Sequence, residues 1–295
     1  MASLWQLISE HIPNDHSRQV HSQYYLEEEL TAPDAPSLVV DLGCGKGASA
    51  PLARKFQPDV RWVGVDIVQS DYARGIAGEQ VLFYDGVNLP FADNSLPLIY
   101  SNQVFEHVRH PEPLLREIRR VLQPGGVFIG STSQLEPYHS WSLWNYTIYG
   151  FKVLVEDAGM ELAEVRPGID GIALVQRQWF GRRPELSAWF RRSPLNAEID
   201  QWGKATSRRP ALVNLRKLQF CGQFSFLVQK PGGPPRERPP RTDHNEALED
   251  PVPAPLPVPA AARAPAVSQQ HPALRRWARR VLPPTARRGI RRLLR

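Results

Sequence analysis

The sequence predicts an α/β fold with a sheet of seven, mostly parallel strands. Seven short apolar runs, rich in β-branched and aromatic residues, lie between residues 37 and 229. Amphipathic helical patterns separate several of them, as in βαβ units, where a helical crossover joins two parallel strands. A glycine-rich segment directly follows the first run, which places a turn and a candidate ligand site at a strand end.

The first half of the chain supplies five of these strands. Residues 1–30 are expected to form short capping helices, because Leu4, Leu7 and Ile8 follow helical spacing. The strands after them are predicted at 37–42, 61–66, 80–84, 97–101 and 126–131. Helices between the strands are predicted at 48–56 and 113–122.

The second half completes the predicted domain, which spans residues 31–230. The segment Gln123-Pro124-Gly125-Gly126 is expected to end the preceding helix and to turn the chain into the fifth strand. A further helix is predicted at 149–159, and the last two strands at 160–165 and 224–229. Residues 166–223, rich in aromatic residues and arginine, are predicted to be an insertion with helical pieces before the last strand.

Two segments of different composition follow the domain. Residues 231–267 contain 11 prolines, which predicts a disordered linker that buries little surface. Residues 268–295 form a basic amphipathic tail, with nine arginines and no acidic residue after position 270.

The positive charge of the chain belongs to this tail. Subtracting the nine arginines from the formal net charge of +6 leaves −3 for residues 1–270. A nucleic-acid partner of the domain is therefore disfavoured. For the tail itself three interpretations stay open, namely a solvated disordered end, amphipathic helices on an anionic membrane surface, and binding of nucleic acid or another partner.

The remaining composition fits a cytoplasmic protein. Cys44 and Cys221 do not make a disulfide framework, and a reducing compartment is expected. The first 20 residues lack the pattern of a signal peptide, and no apolar run is long enough to span a membrane. If the tail binds lipid, the protein would associate peripherally with the inner face of the membrane.

The glycine-rich segment Asp41-Leu42-Gly43-Cys44-Gly45-Lys46-Gly47 indicates which ligand it could accept. Dinucleotide-binding loops usually read G-x-G-x-x-G and hold a pyrophosphate at a helix N-terminus. Here the third glycine comes one residue early, and Asp41 stands two residues before the first. An acid there would repel a pyrophosphate and attract an ammonium or sulfonium group.

Four motifs in order resemble those of the class I S-adenosylmethionine-dependent methyltransferases, of the type that acts on small molecules and glycans. They are D-L-G-C-G-K-G at 41–47, G-V-D-I at 64–67, Y-D-G-V-N-L-P-F-A-D-N-S-L at 84–96 and the run that begins Y-S-N-Q-V-F-E-H-V at 100. The resemblance covers about residues 37–165. It implies a Rossmann-like sheet of seven mostly parallel strands, with helices on both faces and the last strand antiparallel. Leu96-Pro97 stands where the family usually has a Phe-Asp pair. Proline is tolerated at the first residue of a strand, so this difference is compatible with the predicted fourth strand.

The resemblance also assigns roles in binding S-adenosylmethionine. It implies that Asp66 holds the ribose hydroxyls and that Asp85 and Gly86 meet the adenine. The residues expected to bind the cofactor are Asp41, Gly43, Gly45, Gly47, Asp66, Ile67, Asp85, Gly86 and Asn102. Cys44 is expected to be a small packed residue rather than a reactive one.

The implied activity is transfer of a methyl group, by in-line displacement, to a hydroxyl of a sugar, glycan or small metabolite. Two histidines are candidates for the catalytic base or an acceptor ligand. His107 follows the predicted fourth strand, and His139 lies beyond the fifth, where the family carries acceptor-facing residues. Trp141, Trp144 and Tyr146 could equally line an acceptor site or belong to the core.

Two other functions stay open at this point. One is a nicotinamide-dependent oxidoreductase, against which the glycine spacing and Asp41 argue. The other is a non-catalytic protein that binds S-adenosylmethionine without turnover. No metal site is expected, although Glu106, His107, His110 and Glu112 are close in sequence.

Overall fold

The computed structural model describes residues 3–67, 76 and 78–233. The strands are Leu38–Leu42 (β1), Arg61–Ile67 (β2), Gln80–Tyr84 (β3), Leu96–Asn102 (β4), Leu122–Ser133 (β5), Glu161–Pro167 (β6) and Gln223–Gln229 (β7). The predicted tail at 268–295, and the predicted linker beyond Gly233, lie outside the described residues.

All seven strands pair in one sheet, in the order β3-β2-β1-β4-β5-β7-β6. The first five strands, β1 to β5, are parallel to one another. β7 runs antiparallel to both β5 and β6, between which it is inserted. The predicted fold class, a Rossmann-like mostly parallel sheet with an antiparallel last strand, is confirmed.

Helices connect the strands and flank them. The α-helices are Leu4–Ile8 (α1), Gln23–Thr31 (α2), Ser49–Phe56 (α3), Pro111–Val121 (α4), Ile148–Asp157 (α5), Gly171–Trp179 (α6), Pro194–Ala205 (α7) and Pro210–Leu218 (α8). Short 3₁₀ helices lie at Ser9–His11, Phe105–His107 and Pro184–Phe190. Among the described residues, no helix combines the length and apolarity needed to cross a membrane.

The sheet separates two hydrophobic cores, as its residue pattern requires. Successive side chains of a strand point to opposite faces, so Val40 of β1 enters one core and Val39 the other. The first core also receives apolar residues from α1, α4 and α5, and the second receives them from α2 and α3. The two N-terminal helices therefore pack on opposite faces of the sheet, α1 in the first core and α2 in the second.

The fifth strand begins earlier than the sequence predicts. Helix α4 ends at Val121, and Leu122 already pairs with Leu96 of β4. The Pro124-Gly125 pair lies inside β5, where Gly125 adopts a φ of +77°. The turn expected at Pro124-Gly125 is thus only a local irregularity inside β5, because glycine adopts positive φ without steric cost.

A buried ion pair anchors the N-terminal segment to β6. Arg166, which is fully buried, donates to both carboxylate oxygens of Asp15, at 3.0 and 2.7 Å. Its guanidinium also lies 5.0 Å from the ring centroid of Tyr24. The same segment contacts the insertion, where the side chain of Gln19 accepts from Ser193 and Asn196. The chain's first 22 residues therefore help to attach the insertion to the domain.

Candidate functional site

The glycine-rich loop lies between the end of β1 and the start of α3. Gly43, Gly45 and Gly47 all adopt positive φ, at +72°, +51° and +73°. A Cβ atom added to Gly43 would lie 2.4 Å from Cγ2 of Val104, so the loop contacts the segment that follows β4. A Cβ atom added to Gly45 would meet no atom of the described residues within 4 Å. The backbone at Gly45 is thus open to a ligand.

Asp66 at the end of β2 faces this loop. Its Oδ2 accepts from the backbone N–H of Gly45 at 2.9 Å, and its Oδ1 accepts from the N–H of Ile67 at 2.8 Å. Each carboxylate oxygen can accept a further hydrogen bond, which two adjacent ribose hydroxyls would supply. Ile67 is 40% exposed beside this carboxylate and offers an apolar surface to a nucleobase. Both positions suit a nucleoside, and the contact of these two residues with S-adenosylmethionine stays a prediction.

Asp41 forms a second, more deeply buried carboxylate under the loop. The hydroxyl of Ser49 donates to Asp41, and Nε1 of Trp62 donates to Ser49 at 2.8 Å. Burial, opposed by the hydrogen bond from Ser49 and assisted by the nearby charge of Asp66, raises the pKa of Asp41 to about 7. The carboxylate of Asp66, together with that of Asp41 above a pH of about 7, favours a ligand that carries positive charge, as S-adenosylmethionine does on its sulfonium and amino groups.

Asp85 and Gly86 lie after β3, with Gly86 at a φ of +95°. The carboxylate of Asp85 accepts from the N–H groups of Val87 and Asn88, at 2.8 and 2.7 Å, and from the Asn88 side chain at 2.6 Å. These bonds hold a tight turn and lower the pKa of Asp85. The contact of this turn with the adenine stays a prediction.

Asn102 ends β4 and faces the N-terminal segment. Its Oδ1 accepts from the hydroxyls of Ser22 and Ser131, each at 2.8 Å. The hydroxyl of Ser22 also lies 3.0 Å from that of Tyr100. Asn102 therefore joins β4, β5 and the segment before α2, and its expected role as a cofactor ligand stays a prediction.

The two predicted histidines come together at the end of β4 and β5. The rings of His107 and His139 pack edge to face, with centroids 5.2 Å apart. The loop 134–147 places His139 there, because the N–H groups of Leu143 and Trp144 both donate to the carbonyl of Glu106, at 2.7 and 3.1 Å. Burial lowers the pKa of His107.

Two carboxylates accompany these rings. Glu106 is fully buried, and its Oε1 lies 3.9 Å from Nε2 of His139. Oε1 of Glu136 lies 3.7 Å from Nδ1 of His139. Burial, opposed by hydrogen bonds such as that from Thr132 and assisted by the charge of Glu136, raises the pKa of Glu106 to about 7. We call Glu106, His107, Glu136 and His139 the acceptor-side cluster.

Glu136 is a residue that the sequence does not single out. Its Oε2 accepts from the hydroxyl of Ser133 at 2.6 Å and from Nε2 of Gln223 at 2.9 Å. With its side-chain amide oriented to satisfy its neighbours, Gln103 donates to Glu106 and Glu136, each at 3.1 Å. The one sequence signal that could have identified Glu136 as a candidate site residue is its position just beyond the fifth strand. By contrast, His110 and Glu112 lie exposed at the start of α4.

The aromatic residues near His139 divide between surface and core. Tyr146 is buried, and its hydroxyl donates to the carbonyl of Phe105 at 3.1 Å. Trp141 is 77% exposed and Tyr138 is 71% exposed. Trp144 is partly exposed, and its Nε1 donates to the carbonyl of Val108 at 2.8 Å. The loop thus presents uncovered aromatic rings next to the acceptor-side cluster.

A separate cavity of about 630 Å³ lies between α7 and α8. It is lined by residues of the insertion such as Leu195, Trp202 and Leu215, and it includes none of the predicted site residues. The glycine loop and the acceptor-side cluster lie instead at the carboxyl ends of β1, β2, β4 and β5, where parallel α/β sheets bind their ligands.

Comparison with known proteins bears on this region of the chain. Residues 40–130 match the family model described as "Methyltransferase domain". The chain is 31% identical over 149 residues to "Methyltransferase GfsG" of Streptomyces halstedii, which covers 43% of this chain and 54% of that protein. It is 32% identical over 134 residues to "Dimethylglycine N-methyltransferase" of Parasynechococcus marenigrum, which covers 43% and 47%.

A third relative matches over a shorter segment, and a solved structure matches at lower sequence identity. The chain is 36% identical over 94 residues to "Uncharacterized 37.1 kDa protein in transposon TN4556" of Streptomyces fradiae, which covers 30% of this chain and 27% of that protein. The structure of "the [4+2]-Cyclase SpnF" has a TM-score of 0.49 and 19% identity, and the match covers 78% of this chain and 92% of that one. The matched segments thus span about half, or less, of the curated relatives' own length.

The strand order, the glycine loop with Asp66 beside it, and the family match over the same residues agree with one another. The cofactor of this family is S-adenosylmethionine, and the residues around the loop fit it. Residues 40–130 therefore carry a methyltransferase domain of the S-adenosylmethionine-dependent type.

Proposed function

We propose that the protein transfers a methyl group from S-adenosylmethionine to a hydroxyl of a sugar, glycan or small metabolite. The observation that carries the proposal is the acceptor-side cluster, two histidines and two carboxylates next to the segment that touches the glycine loop. Such a cluster supplies proton acceptors and hydrogen-bond partners for a hydroxyl group.

The geometry of the loop supports the proposed cofactor-binding residues. Asp66 would hold the ribose, the backbone of Gly43 to Gly47 would lie against the nucleoside, and Asp41 would favour the cationic end. When bound, S-adenosylmethionine supplies a methyl group that its positive sulfur already activates. The protein's own task is therefore to orient the acceptor and to exclude water, and proximity of this kind supplies on the order of 7–11 kcal/mol.

The acceptor-side cluster would remove the hydroxyl proton. Nδ1 of His139 lies 3.3 Å from the carbonyl of Pro137, to which it donates when it carries the ring proton. Nε2 of His139, 3.9 Å from Oε1 of Glu106, is then the unprotonated nitrogen that can accept a proton. A positioned base contributes roughly 10²–10⁴-fold in rate. The exposed rings of Tyr138 and Trp141 suit the apolar face of a sugar or of a small metabolite.

Ligand binding and turnover test this proposal separately. Calorimetry of the full-length protein should show binding of S-adenosylhomocysteine and no binding of NAD⁺ or NADP⁺. Radiolabelled S-adenosylmethionine, incubated with a panel of sugars, glycosides and hydroxylated metabolites, should then label at least one of them. Binding of a nicotinamide nucleotide without S-adenosylhomocysteine would overturn the proposal. Binding of S-adenosylhomocysteine with no labelled product would indicate a non-catalytic protein instead.

The basic tail extends the proposal to a membrane surface, on its sequence alone. Arginines alternate with Leu274, Trp277 and Val281 at helical spacing, which is typical of a helix that lies on anionic lipid. A lipid-linked glycan would then be an accessible acceptor. Sedimentation of the full-length protein with anionic and with neutral vesicles tests this idea, and equal weak binding to both would contradict it.

A further inference from the structure

The structure brings together three side chains that suit a metal ion. One nitrogen of His107, one nitrogen of His139 and one carboxylate oxygen of Glu106 all lie within 4.8 Å of one another. In the described part of the chain, this is the only such group of three. The sequence predicts no metal site, because only the fold brings His139 from beyond β5 to the neighbouring pair after β4.

The contacts within the group resemble those of ligands rather than of hydrogen-bonded partners. Oε1 of Glu106 and Nε2 of His139 are 3.9 Å apart, which is too far for a hydrogen bond. Two ligands bound at about 2.0–2.2 Å to one ion can lie up to about 4.4 Å apart. One ion between these atoms would therefore contact both with little movement of either side chain.

The surroundings also orient two of the three side chains, those of His139 and Glu106, as they do in metal sites. Metal-bound histidines usually donate their second N–H to a carbonyl or carboxylate, and Nδ1 of His139 lies 3.3 Å from the carbonyl of Pro137. Oε2 of Glu106 accepts from the hydroxyl of Thr132 at 2.9 Å, and Oε1, which faces His139, accepts from the side-chain amide of Gln103 at 3.1 Å. Nδ1 of His107 is buried and has no hydrogen-bond partner among the described residues.

We propose that Glu106, His107 and His139 bind a divalent metal ion such as Zn²⁺. Two imidazoles and one carboxylate are a donor set for zinc-like ions, whereas Mg²⁺ and Ca²⁺ prefer oxygen ligands alone. Three protein ligands leave a coordination position for a further oxygen. This inference rests on the proposed function only for the identity of that further oxygen, which is the hydroxyl of the acceptor.

The ion gives the acceptor-side cluster a defined chemistry. Coordination lowers the pKa of a bound hydroxyl, and its proton passes to the carboxylate of Glu136, which lies 3.7 Å from His139. The oxygen lone pair then forms the bond to the methyl carbon. The electron pair of the carbon–sulfur bond stays on the sulfur, which becomes neutral.

Zinc binding to the full-length protein, made without a histidine tag and stripped with chelator, tests the proposal. Calorimetry with Zn²⁺ alone should show one site whose affinity falls at least about 100-fold in His139→Gln and in Glu106→Gln, in line with loss of one ligand. His110→Gln, an exposed histidine outside the group, should bind Zn²⁺ as the wild type does. Visible absorption of the Co²⁺-loaded protein, lost in His139→Gln, should confirm the nitrogen ligands.

Binding of S-adenosylhomocysteine to each variant reports whether it is folded. A His139→Gln variant that binds S-adenosylhomocysteine normally and also binds Zn²⁺ as tightly as the wild type would overturn the metal site. So would a wild-type protein that binds S-adenosylhomocysteine and no Zn²⁺. Zinc binding at the three residues without any binding of S-adenosylhomocysteine would instead contradict the proposed methyl transfer and leave the metal site standing.

Discussion

The carboxylate of Asp66 accepts a hydrogen bond from the backbone N–H of Gly45 at 2.9 Å. This bond joins the end of β2 to the middle of the glycine loop, so the acid expected to hold the ribose also fixes the backbone expected to meet the nucleoside. A change at Asp66 therefore affects two contacts with the cofactor at once.

Replacing Asp66 with alanine should weaken binding of S-adenosylhomocysteine by at least about 100-fold. Each hydrogen bond to a charged group contributes about 1.5–3 kcal/mol, and two ribose hydroxyls would lose their acceptor. Calorimetry of the variant measures the loss, with Asp59→Ala, an exposed acid before β2, as the control. An unchanged affinity in Asp66→Ala would mean that the nucleoside binds elsewhere.

Alanine at Gly43 and alanine at Gly45 should have different effects. At Gly43 the new Cβ would meet Val104 at 2.4 Å with φ at +72°, so we expect about 2–4 kcal/mol less unfolding free energy. At Gly45 the Cβ would point into open space, so stability should fall by only about 1 kcal/mol while S-adenosylhomocysteine binding is lost.

Urea unfolding and calorimetry of the two variants separate these effects. Combining Gly43→Ala with Val104→Ala should restore part of the lost stability, because it removes the clash and leaves only the backbone strain. Equal stability losses in the two single variants would show that Val104 does not press against the loop.

The ionisation of Asp41 should make the cofactor-free protein less stable as the pH rises. The folded protein keeps a proton on Asp41 up to a pH of about 7, whereas the unfolded chain releases it near 3.8. Raising the pH through this window therefore favours unfolding. Relative to wild type, the unfolding free energy of Asp41→Asn should rise by about 2–3 kcal/mol between pH 5 and pH 8.

Urea unfolding at the two pH values measures this difference. Asp59→Asn, at an exposed site, should show no such change with pH. A constant difference between Asp41→Asn and wild type would mean that Asp41 is ionised throughout this range.

Replacing His139 with alanine should affect turnover and not cofactor binding. The ring lies in the acceptor-side cluster, on the loop beyond β5, and not at the glycine loop. We expect the affinity for S-adenosylhomocysteine to stay within about twofold and the rate on an identified acceptor to fall by roughly 10²–10⁴-fold. Loss of S-adenosylhomocysteine binding in this variant, with His110→Ala unaffected, would show that His139 belongs to the cofactor site.

Breaking the ion pair between Asp15 and Arg166 should destabilise the whole domain. Asp15→Asn would leave the buried guanidinium without its main charge partner, which we expect to cost about 2–4 kcal/mol of unfolding free energy. The same pairing holds the pKa of Asp15 well below its usual range, so this stability is lost as the pH falls. Thermal unfolding of Asp15→Asn, with exposed Asp34→Asn as the control, measures the effect.

Local sequence patterns predicted most of the sheet. Strands such as β3 are marked by short β-branched and aromatic runs, and the predicted bounds of β3, 80–84, agree with the structure. The glycine spacing marked the loop equally well, because positive φ at three nearby positions is a local property. The start of β5 was wrong because pairing with β4 overrode the turn signal of Pro124-Gly125.

Contacts between distant parts of the chain could not be predicted. No pattern in the sequence indicated that Asp15 would pair with Arg166 or that Ser22 would donate to Asn102. The same limit applies to the acceptor-side cluster, in which Glu136 and His139 reach Glu106 only because the loop folds back. Residue types revealed the candidates, and the fold determined which of them meet.

The loop 134–147 is fastened to the domain at its two ends. The N–H groups of Gln134 and Leu135 donate to the carbonyl of Gly222, and those of Leu143 and Trp144 donate to the carbonyl of Glu106. All four bonds use backbone atoms, so they depend little on which side chains lie between them. A chimera that receives residues 137–142 from a relative would therefore keep these four hydrogen bonds. Changes in this short stretch could then alter the proposed acceptor preference while the glycine loop and Asp66 stay the same.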